Sequence, residues 1–117
     1  MGIRKSVSIE GLNNNIIAIS PEIRNSGFFP DPAWYFAVLT DDDVVLICSM
    51  KETNGEGIYS VRENFSLGEY FRNRLGLPSG AFVKKEYLLR YGRTDVDFYK
   101  IDDETYFMDF SVPPRNG

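Results

Sequence analysis

Histidine is missing from the 117 residues, cysteine occurs once, and apolar stretches are short and punctuated. Each scarcity excludes something. Without histidine there is no Ser-His or Cys-His nucleophile system and no imidazole-bound metal, while a carboxylate-only metal or acid/base site stays open. The lone Cys48 cannot form an internal disulfide, and inside VVLICSM it lies on an apolar strand pattern. It reads as a packed, inert thiol, which suits a reducing compartment. No segment is long and apolar enough to read as a membrane-crossing helix. The N-terminal MGIRKSVSIEG alternates polar and apolar residues and lacks the continuous apolar stretch of a secretory signal. The expectation is a cytoplasmic protein with no membrane partner.

What is present is 43% hydrophobic and 26% charged residues, a composition that describes a soluble globular chain of a size that buries a real core without disulfide or metal staples. One domain spanning residues 1–117 is expected, frayed over 1–3 and 113–117. The apolar pattern is mostly of period two. Lys5 to Ile9, Ile16 to Ile19, Trp34 to Leu39, Val44 to Cys48, Val96 to Tyr99 and Tyr106 to Phe110 read as strands, rich in β-branched and aromatic residues and separated by Asn, Gly, Asp or Pro. The fold class is therefore mainly β with short α-helices. The clearest helix is announced by Ser66-Leu67-Gly68-Glu69, a capping box, and is stopped by Gly76 and Pro78. Along it Leu67, Tyr70, Phe71 and Leu75 share one face, leaving Glu69, Arg72 and Asn73 toward solvent. Lesser helices are expected after Ser20-Pro21 and from Lys84 to Arg90, ending at Gly92. Trp34, Tyr35 and Phe36 read as packed strand residues rather than base-stacking platforms.

Charge is segregated along the chain. From Arg62 to Arg93 there are seven basic and three acidic residues, net +4, in a chain whose total is −4. That run points to one basic surface. From Asp95 to Asp109 six acidic residues face one basic one, a balance that repels phosphate. Arg93 is expected to brace the junction after Gly92 by pairing with Asp95. The clusters Asp41-Asp42-Asp43 and Asp102-Asp103-Glu104 lie between strand-like runs and read as hairpin turns rather than metal sites. No catalytic residue, cofactor or metal is expected in this chain.

The stretch from Phe28 to Phe110 carries FFP, LTDD, an NG turn, GEYFRNRLG, YGRTDV, FYKIDDETY and DF in that order. It resembles the C-terminal domain of phospholipase-D-like restriction endonucleases, the NgoFVII family. The resemblance implies a B-three-like DNA-binding pseudobarrel of about seven strands with short helices closing it. It implies duplex DNA as partner, read in the major groove by two loop arms. It also implies a phospholipase-D-like nuclease domain, in the same or a parent protein, whose histidine-containing motifs this chain does not match. This chain would then be a non-catalytic target-recognition piece of a type II restriction-modification enzyme, inside a bacterial cell.

By order along the chain, the first arm falls at Glu10 to Asn15 and the second at Met50 to Gly57, before Ile58 and Tyr59. The DNA-contact residues implied are Arg4, Lys5, Asn13, Asn14, Asn15, Lys51, Thr53, Asn54, Tyr59, Arg62 and Asn64. Asparagine bonds adenine bidentately and lysine donates to guanine O6 and N7, while Arg4, Lys5, Arg62 and Asn64, near the arm bases, suit phosphate. On spacing alone Asn13 to Asn15 and Asn54-Gly55 read as ordinary turn chemistry ahead of base contact, an order that the resemblance reverses. Two departures from the family remove positive charge: the first arm is short and has no arginine after Gly11-Leu12-Asn13, and Glu56 stands where lysine is more usual. A second functional class stays open, a protein-interaction or inhibitory module that keeps the pseudobarrel without reading DNA.

Overall fold

In strand after strand every second side chain is buried, and that alternation lets one sheet curl around a single core. The computed structural model describes residues 4–12, 16–32, 34–51, 57–61 and 66–112. In chain order the elements are β1 (Arg4–Ser8), β2 (Ile16–Ala18), α1 (Pro21–Asn25), β3 (Tyr35–Thr40), β4 (Val45–Met50), β5 (Gly57–Ser60), α2 (Leu67–Leu75), α3 (Lys85–Tyr91), β6 (Asp95–Asp102) and β7 (Thr105–Asp109). The strands join in the order β1-β6-β7-β3-β4-β5-β2. All pairings are antiparallel except β3 with β7. The outermost strands, β1 and β2, approach each other without pairing, which leaves a nearly closed barrel. The expected mainly β pseudobarrel is what the structure shows, and both acidic clusters form the turns read from sequence.

Strand directions define two ends. β1, β3, β5 and β7 finish at what we call the upper end, where β2, β4 and β6 begin. Val7, Ile17, Phe36, Val38, Leu46, Ile58, Val96, Phe98 and Met108 are buried along the barrel, together with Cys48, whose thiol burial pushes up to about 12. The lower end is closed by Phe28 and Phe29. The Phe29 ring lies 5.2 Å from Phe98 and 5.1 Å from Tyr106, and the Tyr106 hydroxyl donates to the Phe28 carbonyl. The upper end is plugged by α2 and α3 through Leu67, Phe71 and Leu88, with Phe71 edge-on to Phe110 at 5.1 Å. Leu75 packs against this core half-buried rather than inside it.

Helix α2 starts where the capping serine predicts: Ser66 Oγ accepts from the Glu69 N–H at 3.1 Å. It stops at Gly76, left-handed with φ 72°, where the Gly76 and Leu77 N–H groups bond the Asn73 and Arg72 carbonyls. The chain then folds back over the helix, and this overturns the solvent-facing expectation for Arg72. Arg72 is only 2% exposed, its Nε donating to the Ala81 carbonyl at 2.7 Å and its guanidinium pairing with Glu69. Helical spacing alone left it outside; the returning segment covers it and supplies the acceptor that a buried guanidinium requires.

One turn further on, Arg74 is the meeting point of the upper end. It makes two bonds to the Asp41 carboxylate, at 3.1 and 2.9 Å, and donates to the hydroxyls of Tyr70 and Tyr91 and to the Phe110 carbonyl. Asp41 also accepts from the Phe110 N–H at 2.9 Å, and Tyr91 donates to the Phe110 carbonyl and stacks on its ring at 4.4 Å. Beside it, burial would raise the Asp42 carboxyl, but hydrogen bonds from Thr40 and Tyr70 and the Arg74 charge outweigh that and hold it below its ordinary 3.8.

Two outcomes follow for stability. Phe71→Ala should cost about 3 to 5 kcal/mol as a core deletion, whereas exposed Asn73→Ala should be near neutral, both measured by urea unfolding. Because the folded Asp42 pKa lies below the unfolded 3.8, its contribution is complete at neutral pH and is lost as pH falls through the folded value. The unfolding midpoint of Asp42→Asn should therefore fall less than that of the unaltered protein between pH 5 and pH 2, a range chosen as roughly one to two units either side of an ordinary carboxyl. Parallel profiles would remove Asp42 from the account.

Candidate nucleic-acid interface

The two proposed arms are rooted on one seam. β2 and β5 pair antiparallel through Ile16 with Tyr59, Ile17 with Ile58 and Ala18 with Gly57. The chain enters β2 at Ile16 from the first arm and β5 at Gly57 from the second. Because both strands start at an arm and run in opposite directions, the arms join opposite ends of the seam, roughly 7 Å apart along the strand at two residue steps. Asn13, Asn14, Asn15, Thr53, Asn54, Arg62 and Asn64 lie outside the described residues; Arg4, Lys5, Lys51 and Tyr59 lie within them.

Gly57 makes the seam close. A Cβ there would run into the Ile16 side chain and come within 2.7 Å of the Ile17 carbonyl oxygen. A glycine opening a strand signals such close approach, although the sequence around it reads simply as a turn. The first arm's root is more deeply held than expected. Leu12 is buried, the Gly11 N–H bonds the Val83 carbonyl at 2.8 Å, and the Val83 N–H bonds the Leu12 carbonyl at 3.1 Å. Gly11 and Leu12, assigned to the arm from sequence, are thus its fixed root, tied to the segment that carries Val83. At the second root the Lys51 N–H bonds the Gly57 carbonyl at 2.9 Å, and its ammonium lies 5.3 Å over the Tyr59 ring. Lys51 is exposed and Tyr59 half-buried, so the ammonium is presented from an aromatic seat.

The remaining sequence candidates are spread. Arg4 pairs across with Tyr99, and its guanidinium is 4.0 Å from Asp97; Lys5 lies opposite Phe98 and is half-buried. Both begin β1 at the lower end, the end at which the second arm joins β5, and not at the first arm's root. The basic surface expected from Arg62 to Arg93 contracts. Arg72 is buried, Arg74 is bound to Asp41, and Arg93 pairs with Asp95 at 3.1 Å and Asp97 at 3.3 Å. Among the described residues of that run, Lys84, Lys85 and Arg90 are the exposed cations.

Trp34 and Tyr35 correct another expectation. They are 67% and 64% exposed, whereas Phe36 is buried, because strand alternation turns Tyr35 outward and Trp34 precedes the strand. They line an open cavity of about 350 Å³ whose rim carries Asp31, Asp103 and Glu104 against Lys100. That charge balance disfavours phosphate.

The assembly is therefore a barrel with two loops joined to one short seam and a lysine seated at one root. A family model, the NgoFVII C-terminal B3-like DNA-binding domain, matches residues 3–102. The chain belongs to this family. The matched range takes in β1, both arm segments and the motifs from Phe28 through YGRTDV, and it ends within FYKIDDETY. No curated protein matches the chain significantly. Membership in a B3-like DNA-binding family supports DNA as partner and a DNA-binding rather than catalytic role for the domain.

Gly57→Ala should destabilise the domain by about 1 to 3 kcal/mol through overpacking. It should also speed amide hydrogen exchange at Ile17 and Ala18 before the rest of the sheet. Unchanged exchange at those amides would show that the seam tolerates the methyl.

Proposed function

We propose that this B3-like domain recognises a specific sequence in double-stranded DNA, as the target-recognition domain of a restriction endonuclease, with both arms entering the major groove. A phospholipase-D-like nuclease domain in the same or a parent protein would do the cutting, in the bacterial cytoplasm. The observation that carries the reading is the shared seam: two loops rich in base-reading side chains join opposite ends of the β2–β5 pairing in a family of DNA-binding domains. Asn13 to Asn15 and Asn54 suit adenine, Lys51 suits guanine, and Glu56 can accept from cytosine N4. Arg62 and Asn64, just after β5, suit phosphate, with Thr53 and Tyr59 lending support within and beside the second arm.

A second reading, a protein-contact module, is favoured by one observation only. The cavity under exposed Trp34 and Tyr35 has an acidic rim, which fits a basic peptide better than DNA.

Selection from a randomised duplex library identifies the site. Lys51→Ala and Asn54→Ala should then each lower affinity by about 1 to 3 kcal/mol and relax preference at one or two base pairs. Arg62→Ala should weaken all duplexes alike and reduce the slope of log affinity against log salt by about one unit. Uniform weakening by the Lys51 and Asn54 changes would make the arm an electrostatic anchor. Failure to enrich any duplex would favour the protein-contact reading.

A further inference from the structure

We infer that residues 82–85 form a third DNA-contacting segment beside the first arm, with Lys84 and Lys85 holding backbone phosphates and so fixing the arm's approach to the groove. This rests on the DNA-reading role proposed above.

The arm itself explains the need. Glu10 to Asn15 contains one carboxylate and no cation. Its asparagines can bond base edges, but nothing within it neutralises the phosphates flanking the groove, which supply a large share of the binding free energy in such interfaces. The second arm differs, since Lys51 stands at its own root.

The missing charge is brought in across a backbone pairing. Both polar groups of Val83 bond the first arm's root, its carbonyl to Gly11 and its N–H to Leu12, at 2.8 and 3.1 Å. Gly11 holds a left-handed φ of 81°, and the Phe82 ring lies beneath it, 3.9 Å from where a Cβ would project. Lys84 follows Val83 directly, so its backbone position is set relative to the arm. Ser8, Glu10, Gly11, Phe82, Lys84 and Lys85 border one open cavity of about 550 Å³. Its two lysines and one glutamate leave a net positive lining.

Both lysines are also available. They are exposed, and among the described residues neither has an ion-pair partner. Arg74 and Arg93, by contrast, are each engaged by aspartates. Phe82, at 47% exposure, remains as an apolar surface between the lysines and the arm.

The test measures anisotropy of a labelled duplex carrying the selected site, and of a scrambled duplex, from 50 to 200 mM salt, conditions that bracket the usual loss of electrostatic affinity of roughly a thousandfold or more. The double variant Lys84→Gln, Lys85→Gln should lower the slope of log affinity against log salt by about 1.8, at roughly 0.9 per phosphate contact, for both duplexes, with base preference unchanged. Lys84→Arg, Lys85→Arg should retain the slope, and Arg90→Gln, at the far end of α3, should leave it unaltered. An unchanged slope in the glutamine variant, with the wild type still selecting its site, overturns this inference and leaves the DNA-reading role standing. So does a loss of base preference without a slope change, or an equal slope change in Arg90→Gln. Absence of duplex binding by the wild type overturns both.

Discussion

The Arg74–Asp41 pair holds the upper end of the barrel together, and the placement of both helices depends on it. Its two parallel bonds connect α2 to the β3–β4 turn, and the remaining guanidinium N–H groups and Asp41 lone pairs reach α3 and the end of β7. Both side chains are about five-sixths removed from solvent, at 16% and 15% exposure. A pair in such a position gains little net stability over an apolar replacement, because desolvation offsets the attraction, but breaking one side leaves an unmatched charge indoors. The value of the pair is in specification. The docking of α2 satisfies Asp41, Tyr70, Tyr91 and the Phe110 backbone at once.

That commitment shapes the surface left for DNA. A run with seven basic residues could have made a broad positive face, yet Arg72 and Arg74 are drawn inward and Arg93 is held by Asp95 and Asp97. The cations that remain exposed there stand on the segment locked to the first arm's root and on α3. In a chain of net charge −4, so few exposed cations leave little broad nonspecific attraction for phosphate. The Trp34 cavity, with its carboxylate rim, keeps a second part of the surface unsuited to phosphate.

Much of the fold was legible because its signals are local. Ser66 and Gly76 bound α2 where capping chemistry requires, the Asp clusters turn the hairpins, and Cys48 is buried where alternation put it. The second-arm root was legible in part: Lys51 and Tyr59 were named from chain order, but their stacking comes from the register that sets Tyr59 opposite Ser49 and Ile16. Less legible were residues whose environment is supplied from far along the chain. Arg72 was read as exposed since its cover, Ala81, arrives by a loop no periodicity describes. Trp34 and Tyr35 were read as core from hydrophobicity, although alternation assigns Tyr35 outward once Phe36 is taken as inward.

The amino-acid sequence by itself determined the mainly β class, the helix limits, the turns, the absence of histidine chemistry and the order in which two asparagine-bearing loops interrupt the strands. All of these follow from short-range sterics, side-chain periodicity and residue identity. The tertiary structure alone decided which arginines keep their charge at the surface, that both arms join one seam, and that Val83 couples the first arm to Lys84 and Lys85. These depend on pairings between residues tens of positions apart, such as Gly11 with Val83 and Arg74 with Asp41, whose partners are chosen by closure of the barrel rather than by any neighbour in the chain.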